Sequence, residues 1–414
     1  FWTASEKINK ESTLDKNIIK EEFLKKEQVL DKEFNQNLKI KVDGKTNFDQ
    51  QIINYSNNNG RANFDGNLQN ISRYKFSKIK NFYQYEPEVS FDRENLIFFN
   101  NKGTILKFNE KSKLIWQKNY YSKSEKKLRP VLQFANNNNY LVVADNVAKY
   151  YLLDVETGQL MWSKHNGAPF NSQIKIYKDK VFVIDFSNTL RCFSLKNGDE
   201  LWNVKTESSL IRSQKKLSMV IVKEKIIFNN SIGDISAVNL NTGELLWQLP
   251  TQSTAIFESS FSLETSEIIT DGKILYFSNN KNQIFAINID TASFLWKNKV
   301  NSNLRSSIVE QYLFTISLEG YLIVTDKDSG NIIKITDIFN NFKIKNRPKI
   351  KPTGFIIGLN KIYVSTTNGR LIVINMKTGK VNTILKIDNE KISQPFIVDK
   401  DLFVIKDNGI IKLN

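Results

Sequence analysis

One short pattern recurs through this chain and limits what it can fold into. Asp154-Val155-Glu156-Thr157-Gly158 reads as a strand end and a tight turn, and Trp162 follows four residues after the glycine. The pattern returns at Asn197-Gly198 with Trp202, and at Thr242-Gly243 with Trp247. It returns again at Thr291-Ala292 with Trp296, and in weaker form at Lys111-Ser112 with Trp116. Glycine suits such a turn because it takes positive φ without steric cost. On spacing alone Leu160 and Trp162, two residues apart, share one face of the outgoing strand. Repetition in register is the signature of a repeat protein.

Around each turn the sequence supplies short strands. The first unit reads as strands over 88–92, 95–100, 103–109 and 113–119. Third strands of the same kind are expected at 103–109, 147–154, 189–195, 233–240, 282–289, 319–326, 369–375 and 409–413. Eight four-stranded antiparallel sheets, none able to hide both faces alone, predict an all-β ring, an eight-bladed β-propeller. The last unit ends on its third strand. Its fourth is expected from the other end of the chain, the strand-like stretch 71–78, which closes the ring.

Trp116, Trp162, Trp202, Trp247 and Trp296 are expected to pack blade on blade. Each ring should lie on the neighbouring turn while its indole N–H finds a carbonyl. Units six and seven carry Lys334 and Thr383 where the tryptophan would fall, so those junctions should be weaker or packed differently.

Residues 71–414 are thus expected to form the propeller, and residues 1–70 a mostly irregular tether. In the tether Leu14 to Phe34 suggest a loose amphipathic helix, and Ser56-Asn57-Asn58-Asn59-Gly60 is a polar run. The sequence opens on Phe1 rather than Met, so a preceding segment is expected, and with it any signal peptide or lipid anchor.

No stretch of eighteen apolar residues exists to span a bilayer as a helix. The formal charge is +16, and residues 1–50 hold ten lysines and ten acids, so the excess lies beyond them. A basic surface suits anionic membranes, nucleic acid or an acidic partner. These lysines are scattered rather than clustered, which reads as composition. One cysteine, Cys192, permits no intrachain disulfide and reads as a small buried apolar side chain. One histidine, His165, supports neither a zinc site nor a Ser-His triad and reads as a surface residue.

The Thr-Gly-x-x-x-Trp turn, after strands such as Gln283-Ile284-Phe285-Ala286-Ile287-Asn288, resembles the PQQ-like propeller repeat over residues 70–414. Two families share it. Quinoprotein dehydrogenases are longer and resemble one another in a vicinal cysteine pair, a Ca²⁺ site and a catalytic Asp. The single cysteine excludes the first, and no acidic cluster offers the second. The BamB family of outer-membrane assembly lipoproteins fits better, with Tyr74 where a tryptophan often stands.

That resemblance implies a non-enzymatic scaffold without cofactor or metal. It would sit at the periplasmic face of the outer membrane and bind a POTRA domain of the BamA-type insertase. The family's contact region comprises two neighbouring inter-blade loops. One is similar to Leu210-Ile211-Arg212 here, with Ser209 in place of a first leucine; in the other, Ser262-Leu263-Glu264 keeps one charge, at Glu264. An apolar pair beside an arginine fork suits a binding hot spot. A quinoprotein-like or other small-ligand propeller is the alternative.

Overall fold

The computed structural model describes residues 29–43, 57–207, 215–252 and 263–414. Eight four-stranded antiparallel sheets form the blades. The third strands are Ile105–Phe108, Lys149–Asp154, Thr189–Ser194, Ile235–Asn239, Gln283–Asn288, Tyr321–Asp326, Arg370–Asn375 and Gly409–Leu413. All eight fall where the repeat places them. Second and third strands are packed on both faces between neighbouring blades. They are therefore near-continuous apolar runs, such as Lys180–Ile184, and the outer strands alternate with solvent.

The eighth blade closes as expected. Its outer strand is Asn70–Lys75, antiparallel to Gly409–Leu413, with Tyr74 opposite Ile410. Tyr74 is buried between Phe108 and Phe403, with ring centroids 5.6 and 6.3 Å away.

The tryptophans sit at the blade junctions. A β-carbon on Gly158, Gly198, Gly243 or Gly330 would lie 2.6–2.9 Å from the ring of Trp116, Trp162, Trp202 or Trp296 respectively. The glycines thus serve close approach as well as positive φ. Ala292 adopts φ 52° at the equivalent place. The indoles of Trp162, Trp247 and Trp296 donate to the carbonyls of Leu195, Ile289 and Lys327 at 3.0, 3.2 and 2.9 Å. Those of Trp116 and Trp202 find no partner among the described residues. At the first junction the equivalent carbonyl, that of Val155, is taken by Lys107 Nζ at 3.0 Å. At the closing junction Tyr74 stands in, its hydroxyl 3.3 Å from the carbonyl of Glu110.

A recurring bulge corrects one expectation. In the second blade Leu152 pairs with Trp162 and Leu153 with Leu160, leaving Met161 as the extra residue. The same shift occurs in each of the first seven blades. Leu160 and Trp162 therefore lie opposite adjacent residues and face opposite ways, and the bulge turns the indole toward the next blade.

The described residues ahead of the closing strand, 29–43 and 57–69, are irregular but packed. Of the expected helix, residues before 29 lie outside the described residues, and Val29–Phe34 are not helical. Phe34 makes an antiparallel bridge to Ile335 on the sixth blade's outer strand, with both backbone bonds near 3 Å. Ile40 and Val42 are buried in the core shared by blades six and seven. Lys334, in the tryptophan position, donates to the carbonyls of Asn35, Gln36 and Leu38. Its stem lies under Gly379. Thr383, the other replacement, has no following turn to pack on, because the eighth blade's fourth strand comes from the chain's other end.

Beyond this arm residues 57–62, which include most of the polar run, lie in the ring's central channel. The innermost strands present unpaired edges to that channel, and the run satisfies several of them. Asn58 Nδ2 lies 3.0 Å from the Met219 carbonyl and 3.1 Å from those of Ile268 and of the Gln173 side chain. Asn59 both donates to the Ile308 carbonyl at 3.2 Å and accepts from its N–H at 2.9 Å. Ile357 exchanges bonds with Gly60 and Ala62.

Candidate functional site

The connections from blade three to four and from four to five leave their strands on the face opposite the Thr-Gly turns. Leu210, Ile211 and Arg212 belong to the first loop and lie outside the described residues. Of the second, Ser262 also lies outside them, and Leu263 and Glu264 are described. Leu263 is buried against Gly233, in the turn between the fourth blade's second and third strands. This packing fixes the backbone of Glu264, whose N–H donates to Asn280 Oδ1 at 2.9 Å and whose carbonyl accepts from the Asn280 N–H at 3.0 Å. Its carboxylate accepts from Asn303 Nδ2, on the next inter-blade loop.

Lys215, where the first loop is again described, and Glu264, where the second is, line one cavity of about 950 Å³. Its other wall is the segment Phe82–Pro87, which crosses from the closing strand to the first blade. Three lysines hold that segment in place. Lys215 pairs with Glu86, Lys216 Nζ lies 3.5 Å from the Glu86 carbonyl and 2.7 Å from Glu88 just beyond the segment, and Lys391 Nζ donates to the carbonyls of Tyr83 and Tyr85 at 2.9 Å. Tyr83 itself projects outward, 66% exposed.

Deeper in the wall Arg305 Nη1 pairs with Glu267 at 3.0 Å, both buried. Burial pushes the Glu267 carboxyl up, but the charges of Arg305, Lys216, Lys215 and Lys175 outweigh it and hold the group below its ordinary range. Burial lowers Lys391, against the opposing charge of Glu86. The sequence singled out Glu264 alone of this set. Lys215, Lys391, Glu86 and Arg305 belong to no periodic pattern, and only the fold brings them together.

The remaining singled-out residues fall where their chemistry puts them. Cys192 is buried, and burial pushes its thiol up to about 12. His165 is exposed, with Nε2 3.8 Å from Glu125 Oε1. Among the described residues no group of three or more His, Cys, Asp or Glu is placed to hold a metal.

With this geometry in hand, the family model for outer membrane protein assembly factor BamB matches residues 101–336, more than half the chain. The chain belongs to the BamB family. The outer membrane protein assembly factor BamB of Moranella endobia (strain PCIT) is 22% identical over 275 residues, covering 66% of this chain and 58% of that protein. This chain thus spans little more than half of that relative. Among solved structures, BamB from Moraxella catarrhalis superposes with a TM-score of 0.69 at 15% identity, over 84% of this chain and 99% of that one. A quinohemoprotein alcohol dehydrogenase from Comamonas testosteroni superposes with a TM-score of 0.65 at 9% identity, over 86% and 78%. Likeness at such identity concerns the fold, which BamB proteins share with dehydrogenases.

Proposed function

We infer that this chain is a non-enzymatic scaffold subunit of the machinery that assembles β-barrel proteins in the outer membrane. It docks on a periplasmic POTRA domain of a BamA-type insertase through the inter-blade-loop face. Leu210 and Ile211 supply apolar contact, Arg212 a forked donor and Glu264 a carboxylate. In this reading the chain works in the periplasm as a lipid-anchored subunit at the outer membrane. The observation that carries this reading is that both candidate loops border one cavity, through Lys215 and Glu264. A partner seated there touches both loops at once. Among the described residues no helix is long and apolar enough to cross a membrane.

A quinone-dependent reading gains nothing from the residues present. Asn58, Asn59 and Gly60 are buried and bond to the innermost strands themselves.

The test is capture of the insertase's periplasmic domains by the tagged full chain. Arg212→Glu and Glu264→Lys should each weaken capture at least about tenfold, as loss of a hot-spot contact does, with the circular dichroism spectrum unchanged. Undiminished capture by both variants overturns the assigned face. No capture by the wild type overturns the partner.

A further inference from the structure

The central channel contains an edge that the repeat cannot satisfy. Each blade's innermost strand has no neighbour on the channel side, so its outward N–H and C=O groups need partners from elsewhere. Residues 57–62 supply them to four consecutive blades, the fourth to the seventh, and reach the third through its side chains. The third receives Asn58 through Gln173 and Lys175, whose Nζ donates to Asn58 Oδ1. The fourth uses the Met219 carbonyl, and the fifth the Ile268 carbonyl and the Thr270 N–H. The sixth uses both backbone groups of Ile308, and the seventh both of Ile357.

Asn59 bonds to Ile308 through its side-chain carboxamide, which offers the same donor and acceptor as a peptide group. Arg61 and Ala62 instead run parallel beside Ile357 as a short strand bridge. Gly60 fits because a β-carbon there would lie 3.1 Å from Ser307 Oγ and 3.3 Å from Arg305 Nε. Asn58, Asn59, Gly60, Arg61 and Ala62 are all buried. The contact is made at once by backbone, carboxamides and close steric fit, which is how an extended peptide is held.

We propose that the channel is a binding site for an extended, carboxamide-rich peptide, and that the chain fills it with its own residues 57–64 as a built-in ligand. The segment binds at the effective concentration that covalent connection provides. It blocks the channel axis and ties blades three to seven together from within. Nothing in this inference depends on the insertase being the partner.

The experiment is hydrogen–deuterium exchange of the full chain, read by mass spectrometry on fragments spanning residues 306–309 and 355–358. In the wild type the amides of Ile308 and Ile357 should be protected. In Asn58→Leu/Asn59→Leu they should exchange at least about tenfold faster, the loss expected for a broken hydrogen bond. Gly60→Val should act in the same way by volume alone, and serves if the double variant fails to fold. A synthetic peptide of residues 57–64, added at about millimolar concentration, should restore protection in either variant and leave the wild type unchanged. Unprotected amides in the wild type overturn the docking, whatever the variants do. Protection that survives in a folded variant also overturns it. Lost protection that the peptide does not restore overturns the channel as a peptide site.

Discussion

Lys334 Nζ donates at 2.9 Å to the carbonyl oxygen of Leu38, almost three hundred residues earlier in the chain. Two more carbonyls, those of Asn35 and Gln36, complete the set. Five other blades use a tryptophan here to grip the next turn. The sixth uses a buried ammonium to grip an arm.

Lys334→Met keeps the stem under Gly379 and removes the three charged hydrogen bonds. The arm's carbonyls then lose their donor, and stability should fall by about 2–4 kcal/mol. Chemical denaturation measures the fall. Exchange at the Phe34 and Ile335 amides should quicken in the same variant, because the bridge they form loses its support. Unchanged exchange there would separate Lys334 from the arm.

The indole partners differ between junctions, and that difference is testable. Trp162→Phe loses a bond to the Leu195 carbonyl and leaves that oxygen without its donor. Trp202→Phe removes a buried N–H that has no partner among the described residues. Trp162→Phe should therefore cost about 1–2 kcal/mol more than Trp202→Phe. Equal losses by calorimetry would mean that ring volume alone governs these junctions.

Tyr74 closes the ring from the far end of the sequence. Tyr74→Ala removes a buried ring from between Phe108 and Phe403 and should cost about 3–5 kcal/mol. Deleting 71–78 should unfold the ring or drive chains to share outer strands as oligomers. Light scattering and thermal melting distinguish these results from a stable monomer, which would refute the closure.

Lys175 gives the channel a pH signature. Burial lowers it to about 8, with Glu88 and Glu267 opposing the shift and Arg305 and Lys216 adding to it. Its unfolded value is 10.5. Between those values the unfolded chain holds a proton that the native protein has lost, so stability rises with pH there. Below about 8 the native protein keeps the buried charge and this gain is absent. Relative to Lys175→Met, the wild type should gain roughly 2 kcal/mol between pH 8 and pH 10. The comparison cancels the buried tyrosines, which act in the opposite sense above pH 10. A flat difference would mean that Lys175 titrates as if exposed.

Much of this fold was legible in the sequence because its determinants are local and repeated. A turn glycine, a tryptophan four residues later and a strand of apolar residues recur often enough to count blades. The missing fourth strand pointed to the stretch around Tyr74. The bulge was hidden, since Met161 and its counterparts look like ordinary strand residues until the pairing is known. The docked arm was hidden more deeply. Asn58 and Asn59 read as loop chemistry because nothing nearby in sequence reveals that their partners are strand edges more than a hundred residues away. Of the residues lining the cavity, only Glu264 is singled out in the sequence, through resemblance. The cavity it borders depends on lysines that only tertiary structure gathers. Leu210, Ile211 and Arg212 lie outside the described residues.

The bridge between Phe34 and Ile335 also decides how the ring can hang. Were the residues ahead of the closing strand undocked, a pull on them would fall on the eighth blade, whose outer strand is Asn70–Lys75. With Phe34 bridged to Ile335, a pull from the amino-terminal side is taken up at the sixth blade's outer strand. That load enters at the flank of the ring, not at its closing strand. The strand pair that closes the ring, Asn70–Lys75 with Gly409–Leu413, is thereby relieved of that load.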